Sequence, residues 1–227
     1  MNRFYFLKIN LSEKLSIVKD SLMKKVFSSG SNRGFIIYKY REDFLSGRYV
    51  SSKKVLDVVE TPFGELIENE RLTFDFVDFE IFTNENPYML LKNPSRSLNE
   101  FFNELNVASN YSLVVDDFSI KIEDFLNDID SEECRLKSIK QLDLKNIRYS
   151  PSIYANLSLK GMISIDTYRK DIMEEKDHVL NKCKATFILG DRHGDVEIFH
   201  NGRVNVADSI SNKFIEFFKS KLTNHLK

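Results

Sequence analysis

Apolar residues recur along the chain in two rhythms. Phe4, Phe6 and Ile9 predict a first strand over Phe4–Leu11. From Ser12, a candidate N-cap, the spacing lengthens. Leu15, Val18, Leu22 and Val26 share one helical face, which predicts a helix to about Phe27. Ser28–Gly34 (SSGSNRG) reads as a loop and Gly34–Tyr40 as a second strand. Gly47 marks a turn, and Tyr49–Glu60 reads as a third strand. Thr61–Gly64 (TPFG) predicts another turn. The clearest strand is Leu72–Phe82 (LTFDFVDFEIF), and its alternation slips. Leu72, Phe74 and Phe76 share one parity; Val77, Phe79 and Ile81 share the other. Such a slip predicts a bulge near Phe76–Asp78.

Asn84–Pro94 is a connector by composition. Ser97 is predicted to cap a helix to about Val107, with Leu98, Phe101, Phe102 and Leu105 inward. Tyr111–Ile122 reads as extended and Asp124–Ile129 as a helical turn. Leu136–Arg148 and Ile153–Ile165 alternate well and predict a long antiparallel hairpin. Asp166 opens a predicted helix to about Lys182. Three short strands follow, at Lys184–Leu189, Val196–His200 and Arg203–Val206. Asn201–Gly202 signals a type I′ hairpin between the last two. Asp208 is a candidate cap for a final helix with Ile210, Phe214, Phe217, Phe218 and Leu222 on one face. The expected class is α+β, a largely antiparallel sheet with about four to five helices packed on one side. A soft boundary after Glu133 divides an N-terminal subdomain, 1–133, from a C-terminal hairpin–helix–hairpin–helix subdomain, 134–227.

Composition adds one thing to this pattern. With four Ala among 227 residues, helices must be held by packing, and nineteen Phe and nine Tyr supply the packing. Charge adds more. Pro62–Glu133 holds seventeen Asp/Glu and four Lys/Arg, whereas 1–61 and 134–170 are each basic by six charges. The total of −1 is therefore a cancellation of opposed blocks, and no global field attracts nucleic acid or membrane. Two cysteines, Cys134 and Cys183, make neither a disulfide framework nor a metal cluster, and imply structural thiols in a reducing, cytoplasmic setting. The opening MNRFYFLKIN is too short and too charged for a signal peptide, and no apolar run approaches the roughly 20 residues of a membrane span.

The basic blocks are the leading candidate site. Lys137, Lys140, Lys145, Arg148 and Lys160 lie on the predicted hairpin, with Lys137 and Lys145 in the same parity. A basic β-ribbon can track phosphates. Lys24, Lys25, Lys53 and Lys54 extend the set if they land on the same side. The plain alternative is a solvated face that happens to be basic. The acidic block offers Asp75, Asp78 and Glu80 among phenylalanines as a docking edge for a basic partner. Other spellings are weaker. Asp191, His193, Asp195 and His200 could ligate a metal, but a polar hairpin turn explains them better. Glu174 and Lys176, with Asp166 and Asp171 upstream, spell a nuclease motif, yet a helical context aims them apart. Ser28–Gly34 with Arg33 could cradle a phosphate but lacks the strand–loop–helix order.

The element order from 153 to 226, and KATFILGDRHGDVEIFHNGRVNVAD within it, resembles the Rex A phage-exclusion family. More distantly it is similar to the recombination-associated ring proteins that bind duplex DNA. The resemblance implies sequence-tolerant DNA binding by a homodimer in phage–host conflict. The expected function is a non-enzymatic intracellular binding protein with duplex DNA as its ligand. The alternative is a protein-interaction subunit docking a basic partner through 62–133, and a metal-dependent nuclease is the outside reading. No cofactor, metal or membrane association is expected.

Overall fold

The computed structural model describes every residue except 96, 130, 132, 162–176, 226 and 227. The described chain is mostly antiparallel sheet with four helices, an α+β protein. It divides into two compact units. Unit 1 comprises Met1–Lys8 with Asp117–Lys227, and unit 2 comprises Ile9–Asp116. The sequence placed one boundary after Glu133. The division falls elsewhere because the start of β1 (Asn2–Leu11) pairs with β11 (Arg203–Val206), from Asn2↔Val206 to Tyr5↔Arg203. Pairing across some two hundred residues leaves no local trace in a hydrophobic pattern.

Unit 2 is built on a meander of β2 (Arg33–Arg41), β3 (Phe44–Glu60), β4 (Leu66–Phe82) and β5 (Tyr88–Lys92). Helices α1 (Leu15–Met23) and α2 (Asn99–Ala108) and strand β6 (Leu113–Asp116) complete it. Its core is aromatic. Phe35 lies 5.3 Å from Tyr49 and 6.2 Å from Phe79, and Phe101 of α2 lies 5.8 Å from both Tyr49 and Phe79. Such ring pairs add to the area they bury.

Strand β4 carries no bulge. It pairs with β3 in one unbroken register, from Phe44↔Phe82 to Glu60↔Leu66. The parity change is instead the signature of a straight strand with apolar residues on both faces. Val77, Phe79 and Ile81 are buried in the core; Leu72, Phe74 and Phe76 project from the opposite face and stay exposed. The predicted serine caps also fail. Lys14 and Leu98 occupy the N-cap positions of α1 and α2 without a side-chain bond, while the Ser12 N–H donates to the Ser112 carbonyl.

Unit 1 pairs β1, β11, β10 (Arg192–Phe199), β9 (Val179–Leu189), β7 (Arg135–Ser150) and β8 (Ile153–Lys160) in that order, all antiparallel. Helices α3 (Ile122–Asn127) and α4 (Ser211–His225) supply the apolar cover. Phe214 lies 5.2 Å from Phe187, and Phe218 lies 5.2 Å from Phe6 and 4.7 Å from Phe125. The predicted helix 166–182 lies largely outside the described residues, but its end is wrong: Val179 and Leu180 already pair with Lys145 and Leu144 as strand. The predicted shared parity of Lys137 and Lys145 is lost too, because β7 shifts register against β9 at three places between Leu136 and Leu144.

The hairpin at Asn201–Gly202 forms, but not as type I′. Asn201 keeps a negative φ, only Gly202 is left-handed at φ 84°, and the Gly202 N–H donates to the Phe199 carbonyl. That is a type I turn closed by a glycine bulge. A Cβ on Gly202 would meet the Phe6 carbonyl oxygen at 2.4 Å, whereas Gly64, with a similar φ of 82°, has nothing within 4 Å. Gly202→Ala should therefore cost about 3 kcal/mol and Gly64→Ala about 1 kcal/mol in denaturant unfolding. Equal costs would show that φ alone, not the contact with β1, fixes glycine at 202.

Candidate nucleic-acid interface

The strand registers of unit 1 place its polar residues in transverse rows. One row runs Arg3, Asn205, Glu197, Lys184, Gln141, Lys160, each paired with the next across adjacent strands. The neighbouring row has Tyr5 paired with Arg203, then Phe199, Lys182, Asp143 and Ser158 paired in turn. Between them lies the apolar row of Phe4, Val204, Ile198, Cys183 and Leu142, which points the other way into the core. Period-two alternation thus makes one face polar wherever the other is packed.

Much of this outward face is self-neutralised. Glu197 sits 3.4 Å from the ammonium groups of both Lys182 and Lys184 and accepts a 3.1 Å bond from Asn205. Asp195 accepts from Lys140 at 2.7 Å and from the Thr186 hydroxyl at 2.8 Å. Asp143 accepts from Ser158 at 2.6 Å and from Gln141 at 3.0 Å. Burial alone would push these carboxyls up. The donated bonds and lysine charges outweigh it and hold all three below the usual carboxylate range. Cations also cover rings: Arg203 lies 5.1 Å from the Tyr5 centroid and Lys182 lies 5.1 Å from that of Phe199.

The sequence-derived cations divide into two groups. Lys25 lies 3.7 Å from Glu104, Lys53 lies 3.1 Å from Asp75 and 3.8 Å from Glu100, and Lys54 lies 2.6 Å from Glu70. Lys140 is taken by Asp195. Lys24, Lys137, Lys145, Arg148 and Lys160 are exposed and make no ion pair among the described residues. Lys24, Lys25, Lys53 and Lys54 belong to unit 2 and the others to unit 1, so the sequence set is not brought together within one unit. Lys145, Arg148 and Lys160 share the outward face of the β7–β8 ribbon, with Tyr154 opposite Arg148. They are spread over about 20 Å of ribbon. Lys137 stands in the bulge between Leu136 and Ser138.

The acidic candidates are paired within unit 2. Asp78 accepts a bidentate pair from Arg48 at 2.6 and 2.8 Å, Asp75 holds Lys53, and Glu80 lies 2.5 Å from Lys92. Arg33, proposed to cradle a phosphate, is 3.0 Å from Glu104 instead. Beyond the Gly190–Asp191 turn, on β10, His193 is exposed and Asp195 bonds Lys140. No group of three His, Cys, Asp or Glu is placed to hold a metal ion among the described residues. The Glu174–Lys176 spelling lies outside them. Sequence reasoning missed Lys182, Lys184, Arg203 and Tyr5. The alternation of Lys182 and Lys184 opposite Glu197 was the available signal, hidden by reading 179–182 as helix.

No protein-family model matches the chain, and no curated protein matches it.

Two predictions follow from the burial and charge of this region. Depressed carboxylates contribute stability that is present above their unfolded pKa, about 4, and is lost as pH falls through the folded value. Glu197→Gln should be less stable than wild type near neutrality, with the gap closing below about pH 4 in urea titrations; a constant gap would exclude the ionic role. Both thiols are buried, and burial pushes Cys134 up to about 12. Native protein should therefore leave Ellman's reagent unreduced at neutral pH and release two thiols per chain only after denaturation.

Proposed function

We propose that this protein binds nucleic acid without sequence preference, through backbone phosphates, at the outward face of the β7–β8 ribbon. One observation carries the reading. Lys25, Lys53, Lys54 and Lys140 of the sequence-derived set are spent on carboxylates, but Lys145, Arg148 and Lys160 share one exposed face and make no ion pair among the described residues. Each would release counterions on meeting a phosphate. Unit 1 holds twenty Lys/Arg against eighteen Asp/Glu, so attraction is local and salt-sensitive, not a field of the whole unit. Duplex DNA is the expected ligand. The resemblance to the Rex A family extends the proposal to phage exclusion by a DNA-bound homodimer, tested by phage plating efficiency on cells expressing the chain.

A second reading, docking of a basic protein partner through 62–133, is favoured by the exposed apolar residues of the β3–β4 hairpin. With Asp75, Asp78 and Glu80 already paired, Glu65 and Glu68 are the arm carboxylates within 62–133 that make no ion pair among the described residues, and Glu60 adjoins them.

Fluorescence anisotropy on a labelled duplex over a salt series tests the first reading. Wild-type affinity should fall log-linearly with salt. The triple substitution Lys145→Gln, Arg148→Gln, Lys160→Gln should weaken binding and flatten the slope by about three. Lys53→Gln with Lys54→Gln should change neither. Absence of binding at low salt, or a slope unmoved by the triple substitution, overturns the proposal.

A further inference from the structure

Strand β2 covers β3 only as far as Ser51, and β5 covers β4 only from Asp78. Beyond those points the hairpin continues as a two-stranded arm, Lys53–Glu60 against Leu66–Thr73, closed by the Thr61–Glu65 turn. Two strands alone have little stability in water. Cross-strand pairs help: Lys54 with Glu70 and Arg71 with Asp57, each at 2.6 Å. Yet one face of the arm carries Leu56, Val58, Leu66 and Leu72, exposed by 56, 50, 67 and 55%. Apolar groups clustered on a projecting element mark a contact surface.

The charge on that face narrows its occupant. Glu60 and Glu68 share it and make no ion pair among the described residues. Segment 52–76 holds six Asp/Glu against three Lys/Arg. Nucleic acid and anionic lipid are repelled, and two such arms repel each other. The occupant must be cationic and partly apolar. The β7–β8 ribbon has that chemistry, with Lys145 and Arg148 making no ion pair among the described residues and Ile153 and Tyr154 each 60% exposed beside its turn.

We propose that the β3–β4 arm of one copy docks on the β7–β8 ribbon of a second copy, Glu60 and Glu68 facing Lys145 and Arg148 and the arm's leucines meeting Ile153 and Tyr154. This rests on the protein-docking reading and names its partner. The contact is heterologous, so it closes into a dimer when reciprocated and otherwise propagates. Self-association and phosphate binding draw on the same cations and compete.

Sedimentation velocity at low salt tests this by charge exchange, with circular dichroism verifying that each variant is folded. Wild type should form species heavier than the monomer that dissociate as salt rises. Glu60→Lys with Glu68→Lys should be monomeric, and so should Lys145→Glu with Arg148→Glu. An equimolar mixture of these two variants should associate again, because each arm then meets a ribbon of opposite charge. A wild type that stays monomeric, association untouched by either pair, or a mixture that stays monomeric overturns the proposal. A synthetic amphipathic Lys/Leu peptide separates the two levels. If it binds wild type but not the Glu60→Lys, Glu68→Lys variant while the chain stays monomeric, docking stands and self-association falls. If it binds neither and the wild type stays monomeric, both fall.

Discussion

Seventeen consecutive cross-strand pairs between β3 and β4 fix unit 2, and they do so in a single register. A slip of β4 by one residue would exchange its two faces. It would expose Val77, Phe79 and Ile81, strip α2 of its aromatic bed, and separate Arg48 from Asp78 and Lys53 from Asp75. Packing and charge therefore select the same register. The buried side contributes most, since three core side chains lost to solvent outweigh a pair of exposed ion pairs.

That register also explains the opposed charge blocks. The basic block ends on β3 and the acidic block begins on β4, so the two meet as neighbouring strands. Their lysines and carboxylates cancel across the hairpin, and unit 2 is left with thirteen Lys/Arg against sixteen Asp/Glu. A charge run in sequence is then a pairing instruction and not a surface patch. In unit 1 the opposite happens. The two strands beside β7 carry no Asp or Glu, so Lys145, Arg148 and Lys160 are paired with Val179, Tyr154 and Gln141 and not with carboxylates. Those left over are the candidates for a phosphate or an acidic partner.

Both functional readings come from what the fold leaves unneutralised or uncovered. The β7–β8 ribbon has charge to spare, and the β3–β4 arm has apolar surface to spare. The carboxylates of unit 1 are held ionised by lysines and hydroxyls, which suits a rigid sheet face better than proton transfer.

Local periodicity was enough to place most strands, the β7–β8 and β10–β11 hairpins, the aromatic face of α4 and the α+β class. These depend on side chains within a few residues of one another, where periods of 2 and 3.6 are written directly. The turn at Gly202 was legible as a turn, but the close approach there of the Phe6 carbonyl, from about two hundred residues away, was not. The chemistry of the lysines was not legible at all. Lys53, Lys54, Lys140, Lys145 and Arg148 look alike in sequence, and only the strands that the fold sets near each decide which meet a carboxylate: β4 brings Asp75 and Glu70 to Lys53 and Lys54, whereas β8 and β9 bring none to Lys145 and Arg148. Residue type and spacing determined that this chain would bury one face of antiparallel sheets. Tertiary pairing decided which charges remain available, because a partner across a sheet is chosen by burial over the whole strand and not by its neighbours in the chain.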